Sequence, residues 1–320
     1  MKKFIFLFVA LAMIFSTIAF ADEYKSESEN QEQFKADFPV DVGNAHITEK
    51  PLRVATVSPA MTDLIRELGF EKRLTAVGNG SSAPIICNDY DDYPIYNIGT
   101  VWIPDLAELK KSKSDVIFTH TAFTDDLTRE IQQMGIDIVI IPTAKNLEEV
   151  FENYRTVYKV LMGNNSGEKM AEEKISRFKE ILQKVSDVSK ENTENKYAAY
   201  MRFFPLGLAG NDSFENIILE DIFNFKNSAN EYVNWTYPKE NIENFNPDYI
   251  FYYKGSLKFI DQNEIISSDI YQKTSAVENN RVYGINGDKF ERRSPKMFSE
   301  LISIVYDLFP ESVPEDLADF

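Results

Sequence analysis

The chain has 320 residues, of which 43% are apolar; 51 acidic residues stand against 34 basic ones, for a formal charge of −17. That balance excludes the clustered Lys/Arg surface needed to neutralise phosphates, so no nucleic-acid partner is expected. The single cysteine, Cys87, excludes an intramolecular disulfide framework, and stability must come from an ordinary apolar core.

The chain opens with Lys2 and Lys3, a charge-free apolar stretch from Phe4 to Phe20, and the small-x-small motif Ala19-Phe20-Ala21 before Asp22. These are the three parts of a secretory signal, with cleavage expected after Ala21. The stretch is 17 residues long, at the lower limit of the roughly 17–25 that span a bilayer, and a cleavage site ends it. The mature chain is therefore expected to be exported with no membrane insertion. No cysteine follows the cleavage point to carry a lipid, so the expected location is a periplasm and the expected state a soluble monomer. Cleavage removes two lysines and no acid, moving the charge to −19, and leaves 299 of the 320 residues, enough for two separate cores.

Residues 22–37 begin polar and acidic without periodicity and read as a disordered leader. Phe38–Thr48 reads as a short hairpin. A strand is expected over Arg53–Ser58 and a helix from Pro59 to Leu68, stopped by Gly69. Leu74–Gly78 (strand), Asp105–Ser112 (helix), Asp115–His120 (strand), Thr124–Met134 (helix), Ile136–Pro142 (strand) and Asn146–Met162 (helix) follow. This rhythm predicts a mostly parallel sheet covered by helices. Ser166–Glu191 is one long charged helical pattern with Met170, Ile175, Phe178, Ile181, Leu182 and Val185 on one stripe, before the polar break Asn192–Asn195. A second βα series then runs through Tyr197–Phe203, Phe214–Phe223, Tyr249–Tyr253 and Val282–Ile285 to a closing helix at Pro295–Leu308. The expected fold class is α/β, two α/β lobes with mostly parallel sheets joined by one long backbone helix. The lobes are placed at 38–165 and 193–320, with the linking helix at 166–192.

No nucleophile elbow, P-loop, dinucleotide fingerprint or His-Glu-x-x-His occurs, which favours binding over catalysis. The only histidines, His46 and His120, have no neighbour at ligand spacing, so no bare metal site is expected. His120 ends a strand, where it either faces a cleft or sits satisfied in the core or a loop.

Four segments, in order, resemble the substrate-binding proteins of ABC importers for ferric siderophores and cobalamin. Arg53–Leu64 with Leu68-Gly69 is similar to that family's opening strand–loop–helix and its ligand-facing Ser-Pro-x-x-Thr-Glu loop, with Asp63 in place of the Glu. Ile98-Gly99-Thr100-Val101-Trp102, Asp105-Leu106 and Lys113–Ile117 resemble the ligand-facing loop, short helix and next strand, with Ser114 where proline is usual. Glu240 before Phe245–Ile250 resembles the matching helix and strand of the second lobe. Val277, Asn280–Tyr283 and Phe290–Lys296 resemble the C-terminal strand, cleft loop and last helix; the Phe-Glu-Arg-x-Ser-Pro string is closest to the cobalamin-binding members.

The resemblance implies a rigid two-lobed binding protein that does no chemistry and hands its ligand to an ABC permease. Its bound ligand would be a bulky metal chelate (a ferric siderophore, a corrinoid or haem), with no intrinsic cofactor. The candidate ligand-binding residues are Ser58, Pro59, Trp102, Arg202, Trp235, Phe290, Arg292 and Arg293, with Tyr237 a further aromatic possibility. Aromatic side chains would form walls, and arginines would donate forked hydrogen bonds to ligand oxygens. Arg202 shares a strand face with Tyr200, and either face of that strand could be the cleft. The resemblance also places one permease-docking glutamate on each lobe, at Glu240 and at Glu108, where the matching position falls on its neighbour Ala107. Three arginines tilt the expected ligand towards an anionic iron(III) chelate, with cobalamin second and haem third, the last using His120 or a tyrosine as axial ligand. An exported hydrolase or chelatase on the same scaffold, and a surface interaction protein without a small ligand, are the readings from other classes.

Overall fold

The computed structural model describes residues 37–81, 94–256 and 260–319. The signal segment, residues 22–36 of the leader and Cys87 lie outside the described residues. The hairpin consists of β1 (Val40–Val42) and β2 (Ala45–Ile47), paired antiparallel.

The first sheet contains β3 (Val54–Thr56), β4 (Leu74–Val77), β5 (Tyr96–Asn97), β6 (Val116–Thr119) and β7 (Asp137–Ile140), all parallel, in the order β5-β4-β3-β6-β7. Successive residues of a strand point to opposite faces, and here both faces are apolar. Val54, Val116, Phe118 and Val139 join the large core, whereas Ala55, Ala76, Ile117 and Ile138 join a second cluster with Leu109 and Ile131. A sheet buried on both sides requires continuous apolar strands of this kind. The intervening helices are α1 (Pro59–Ile65), α2 (Leu106–Ser112), α3 (Asp125–Gln133) and α4 (Leu147–Met162). Ser58, Asp105, Thr124 and Asn146 cap their first turns, each side chain accepting from a backbone N–H two or three residues on.

Helix α5 (Asn164–Thr193) is 30 residues long, about 45 Å at 1.5 Å per residue, and runs in sequence between the two sheets. It exceeds the expected span at both ends for identifiable reasons. At its C-terminus the polar residues that read as a break bond the helix's own carbonyls: Asn192 Nδ2 donates to Val188 O at 2.7 Å, and Thr193 Oγ1 to Ser189 O at 2.8 Å. At its N-terminus the carboxylate of Asp37 accepts from the backbone N–H groups of Asn165 and Ser166, both at 3.1 Å, and from both side chains. Asp37 was expected in the disordered leader; it is instead buried at 3% exposure, as a cap supplied from about 130 residues away.

The second sheet is ordered β10-β8-β11-β12, with β9 paired antiparallel to β8. Its strands are β8 (Tyr197–Phe203), β9 (Gly207–Leu208), β10 (Lys226–Asn227), β11 (Tyr249–Lys254) and β12 (Val282–Asn286). The helices of this half are α6 (Phe214–Ile217), α7 (Gln262–Ile266), α8 (Ser275–Glu278), α9 (Gly287–Glu291) and α10 (Lys296–Leu308). The two halves are welded rather than hinged. Phe178 of α5 stacks on Phe298 of α10 at 4.2 Å and meets Tyr154 of α4 edge-on at 5.8 Å, while Phe151 stacks on Phe298 at 6.2 Å. One continuous apolar cluster runs from Val40 to Leu317 through both sheets. Such a core resists bending because it has no plane along which to separate.

Candidate ligand-binding cleft

In an open parallel sheet the crevice for a ligand opens at the carboxyl ends of the strands, where the strand order reverses. In the first sheet that point lies between β3 and β6, which are followed by Ser58-Pro59 and by His120. In the second it lies between β8 and β11, which end near Arg202 and Tyr253. All five of these residues line one cavity of about 350 Å³, together with Pro142, Tyr154, Asp288, Glu291, Arg292 and Arg293. Its apolar surface comes from Pro59, Ala60, Met61, Leu64, Ile141 and Ala144. A larger hollow of about 510 Å³ opens at the opposite, amino end of the first sheet and is lined from that half alone. The carboxyl-end cavity, built from both sheets, is therefore the candidate site.

Local structure fixes each contributor. Ser58 accepts from Met61 N as the cap of α1, and Thr62 Oγ1 donates back to Ser58 O at 3.0 Å, holding the Ser-Pro turn against the cavity. Gly287 opens α9 directly on the Tyr253 ring; a Cβ there would lie 1.9 Å from a ring carbon, so only glycine allows the approach. That approach brings Tyr253 OH within 2.9 Å of Asp288 Oδ1. Asp288 also accepts from Ser256 N at 2.9 Å and Ser256 Oγ at 2.8 Å. Burial raises its carboxyl, but these donors and the Arg292 guanidinium outweigh burial and hold it below the ordinary carboxylate range.

The three expected arginines all reach the cavity, and each already has a carboxylate. Arg292 bonds Asp63 from the other lobe with Nη1 and Asp288 with Nη2 at 2.9 Å. Arg293 reaches Glu215 at 3.5 Å, donates to Glu291 O at 2.5 Å and lies 4.6 Å from the Phe214 ring. Arg202 sits between the rings of Phe203 and Trp235, at 5.4 and 5.2 Å, with Nε 3.1 Å from Glu291 Oε2. That approach is an ion pair without hydrogen-bond alignment, since the Nε atoms of Arg202 and Arg293 are buried with no hydrogen-bond partner. Tyr200 OH donates to Glu291 Oε1 at 2.7 Å. Burial pushes the Glu291 carboxyl up to about 7 against the pull of Tyr200 and Arg202, and burial likewise raises Glu215. His120 is lowered by burial, so a neutral imidazole faces the cavity. Further pairs tie the lobes together behind this surface: Lys296 N donates to Glu67 at 2.9 Å, and Tyr154 OH to Arg293 O at 2.8 Å.

Ser58, Pro59, Arg202, Arg292 and Arg293 thus come together, and the expected aromatic walls do not. Phe290 is 2% exposed and packs on Tyr200 at 5.1 Å; the helix α9, where a loop was expected, turns it into the core. Trp235 stands behind Arg202, edge-on to Tyr200 at 6.0 Å, with a left-handed backbone (φ 57°) that a non-glycine residue adopts only where packing enforces it. Tyr237 is buried between Tyr232 and Phe245. Trp102 lies outside the cavity on the loop after β5, 74% exposed beside an equally bare Ile103. That loop is firmly built, with Gly99 bridged to Pro104 and Ile103 N bonded to Thr100 O at 3.2 Å. The aromatic lining consists of Tyr154 and Tyr253. Glu108, half-buried in the first turn of α2, pairs with Lys111 at 2.6 Å, and Glu240 is exposed on a short 3-10 helix at Lys239–Asn244. Among the described residues no group of three His, Cys, Asp or Glu could hold a metal ion, and no helix is long and apolar enough to cross a membrane.

Comparison with known proteins agrees with this architecture. A profile described as periplasmic binding protein matches residues 54–288, which begin at β3 and end in α9. The uncharacterized ABC transporter substrate-binding lipoprotein YvrC of Bacillus subtilis is 19% identical, over 98% of this chain and 100% of its own. A possible iron-binding, periplasmic solute-binding protein of Staphylococcus epidermidis superposes with a TM-score of 0.64 at 19% identity, covering 82% of this chain and all of that one. The periplasmic heme-binding protein HutB of Vibrio cholerae superposes with a TM-score of 0.65 at 17% identity, covering 81% and 99%. The two-sheet fold and the family match together place this chain in the periplasmic binding protein family, as a substrate-binding protein of an ABC transporter.

Proposed function

We propose that the protein captures an iron(III) chelate in the cleft between its sheets, outside the cytoplasm, and delivers it unchanged to the permease. The observation that carries this reading is the convergence of both sheets' switch points on one cavity, lined by three arginines with apolar flanks. A cavity of about 350 Å³ lies at the low end of the roughly 300–1,000 Å³ typical of ligand pockets, which favours a compact chelate over a corrinoid. A similar solved structure is described as a possible iron-binding protein, in line with that choice. Cleavage after Ala21 would release the protein into the periplasm, and Glu108 and Glu240 would dock one lobe each onto the permease.

Haem is the second reading. The neutral imidazole of His120 lines the cavity as a possible axial ligand, and a similar fold is described as heme-binding. Purification from the native host, followed by an absorption spectrum and metal analysis, tests both. Iron at one equivalent with a siderophore charge-transfer band supports the first reading. A Soret band supports the second, and a corrinoid spectrum would replace both. A colourless protein that none of the three ligands stabilises against heat would refute the chelate reading altogether.

A further inference from the structure

We infer that the cleft selects a chelate of low net negative charge, a neutral or cationic ferric trihydroxamate rather than a trianionic tris-catecholate. This inference rests on the iron-chelate reading and reverses the expectation that three arginines suit an anion.

The reason is that each cleft arginine already stands beside an acid of the protein, although the Nε atoms of Arg202 and Arg293 have no hydrogen-bond partner. Among the described residues, five cationic side chains stand at or just behind the cavity: Arg66, Arg202, Arg292, Arg293 and Lys296. Five acids among the described residues answer them: Asp63, Glu67, Glu215, Asp288 and Glu291, of which burial raises Glu215 and Glu291. Asp63 serves both Arg66, at 2.6 Å, and Arg292, while Glu67 serves Arg66 at 3.6 Å and Lys296 at 3.4 Å. An anionic ligand oxygen drawn to Arg292 or Arg293 competes with Asp63 or Glu215 for the same guanidinium. These acids are only 6% and 2% exposed, so each would be left as a buried acid short of a partner. Asp288 and Glu291 line the cavity themselves, and the donors around Asp288 keep it ionised. They present acceptors to ligand N–H groups or an ammonium, and they repel an incoming trianion. Like charges brought together at a binding surface reject a partner more effectively than unlike charges attract one. The hydroxamate class supplies what this surface can take: amide groups, an uncharged or cationic periphery, and a compact metal centre.

The test is a pair of equilibrium titrations by protein fluorescence, with ferrioxamine B as the cationic trihydroxamate and ferric enterobactin as the trianionic tris-catecholate. They are run near pH 8, above the value of about 7 to which burial pushes Glu291. The expected result is at least about tenfold tighter binding of ferrioxamine B, with the gap narrowing as salt rises from about 20 to about 500 mM. Asp288→Asn and Glu291→Gln, which keep the shape and remove the charge, should each move the ratio towards the catecholate by about threefold or more. The wild-type ratio and its salt dependence decide the matter even if a variant fails to fold. Equal or tighter binding of ferric enterobactin would overturn the charge inference and leave the iron-chelate reading standing. Binding of neither complex would overturn both.

Discussion

Glu291→Gln isolates the most perturbed carboxyl of the cleft. In the folded protein burial raises this group from its ordinary 4.5 to about 7. A carboxyl raised on folding binds its proton more tightly in the native state than in the unfolded chain. Its stabilising contribution is therefore complete below about pH 4.5 and is lost as pH rises through about 7. A shift of that size corresponds to about 3 kcal/mol, at about 1.4 kcal/mol per pH unit. Glutamine has the shape of the protonated acid and can still accept from Tyr200 OH, but it cannot ionise. Urea denaturation of both proteins at pH 5 and pH 8 reads the difference. At pH 5 the two should be nearly equally stable, and at pH 8 the variant should be the more stable by up to about 3 kcal/mol. Contributions from distant groups cancel in this comparison. Stability curves that stay parallel across the range would refute the buried, ion-paired environment assigned to Glu291.

Three further outcomes follow from the fold. Asp37→Ala should cost about 2 kcal/mol or more at neutral pH, because it removes the side-chain cap of α5 and leaves two backbone donors unsatisfied. Burial opposes ionisation of Asp37, but its hydrogen bonds from Ser166 and Asn165 hold the carboxyl below the ordinary range. That stabilisation is lost as pH falls through the depressed value, so wild type and variant should converge in acid, as urea midpoints would show. Phe298→Ala removes the ring stacked on Phe178 and should cost about 3–5 kcal/mol, loosening both halves in one cooperative thermal transition. Two separated transitions would contradict the continuous core. Arg292→Ala should cost about 2 kcal/mol in chemical denaturation, by leaving Asp63 to Arg66 alone and Asp288 to Tyr253 and Ser256; an unchanged midpoint would mean the cross-lobe pair contributes nothing.

The framework was legible in the sequence where the signal is local. Strand β8 falls on the expected Tyr197–Phe203, and three helices start one residue after the capping side chains of Asp105, Thr124 and Asn146, because caps and apolar periodicity act within a turn or two. What depends on distant partners was not legible. Asp37 reads as the tail of a polar leader because its partners are about 130 positions away. Phe290 and Trp235 read as walls because the sequence shows an aromatic near a cleft loop but not the rotation of the element that carries it. The clearest case is the arginine set. Its positions are visible in the string Phe290–Lys296, yet the charges that answer it come from Asp63, 229 positions from Arg292, and Glu215, 78 positions from Arg293. The ligand inferred from arginines alone is anionic, and the ligand inferred from the paired cleft is not. One visible clue was Asp63 itself, an acid inside the ligand-facing segment.

The central claim is stoichiometric capture without chemistry. Isothermal titration of the mature protein with ferrioxamine B, followed by chromatographic recovery of the ligand, tests it most directly. Saturation at one equivalent and return of the intact ferric complex are expected. A recovered ligand that has lost its iron or been cleaved would contradict it, as would the absence of binding by both this complex and haem.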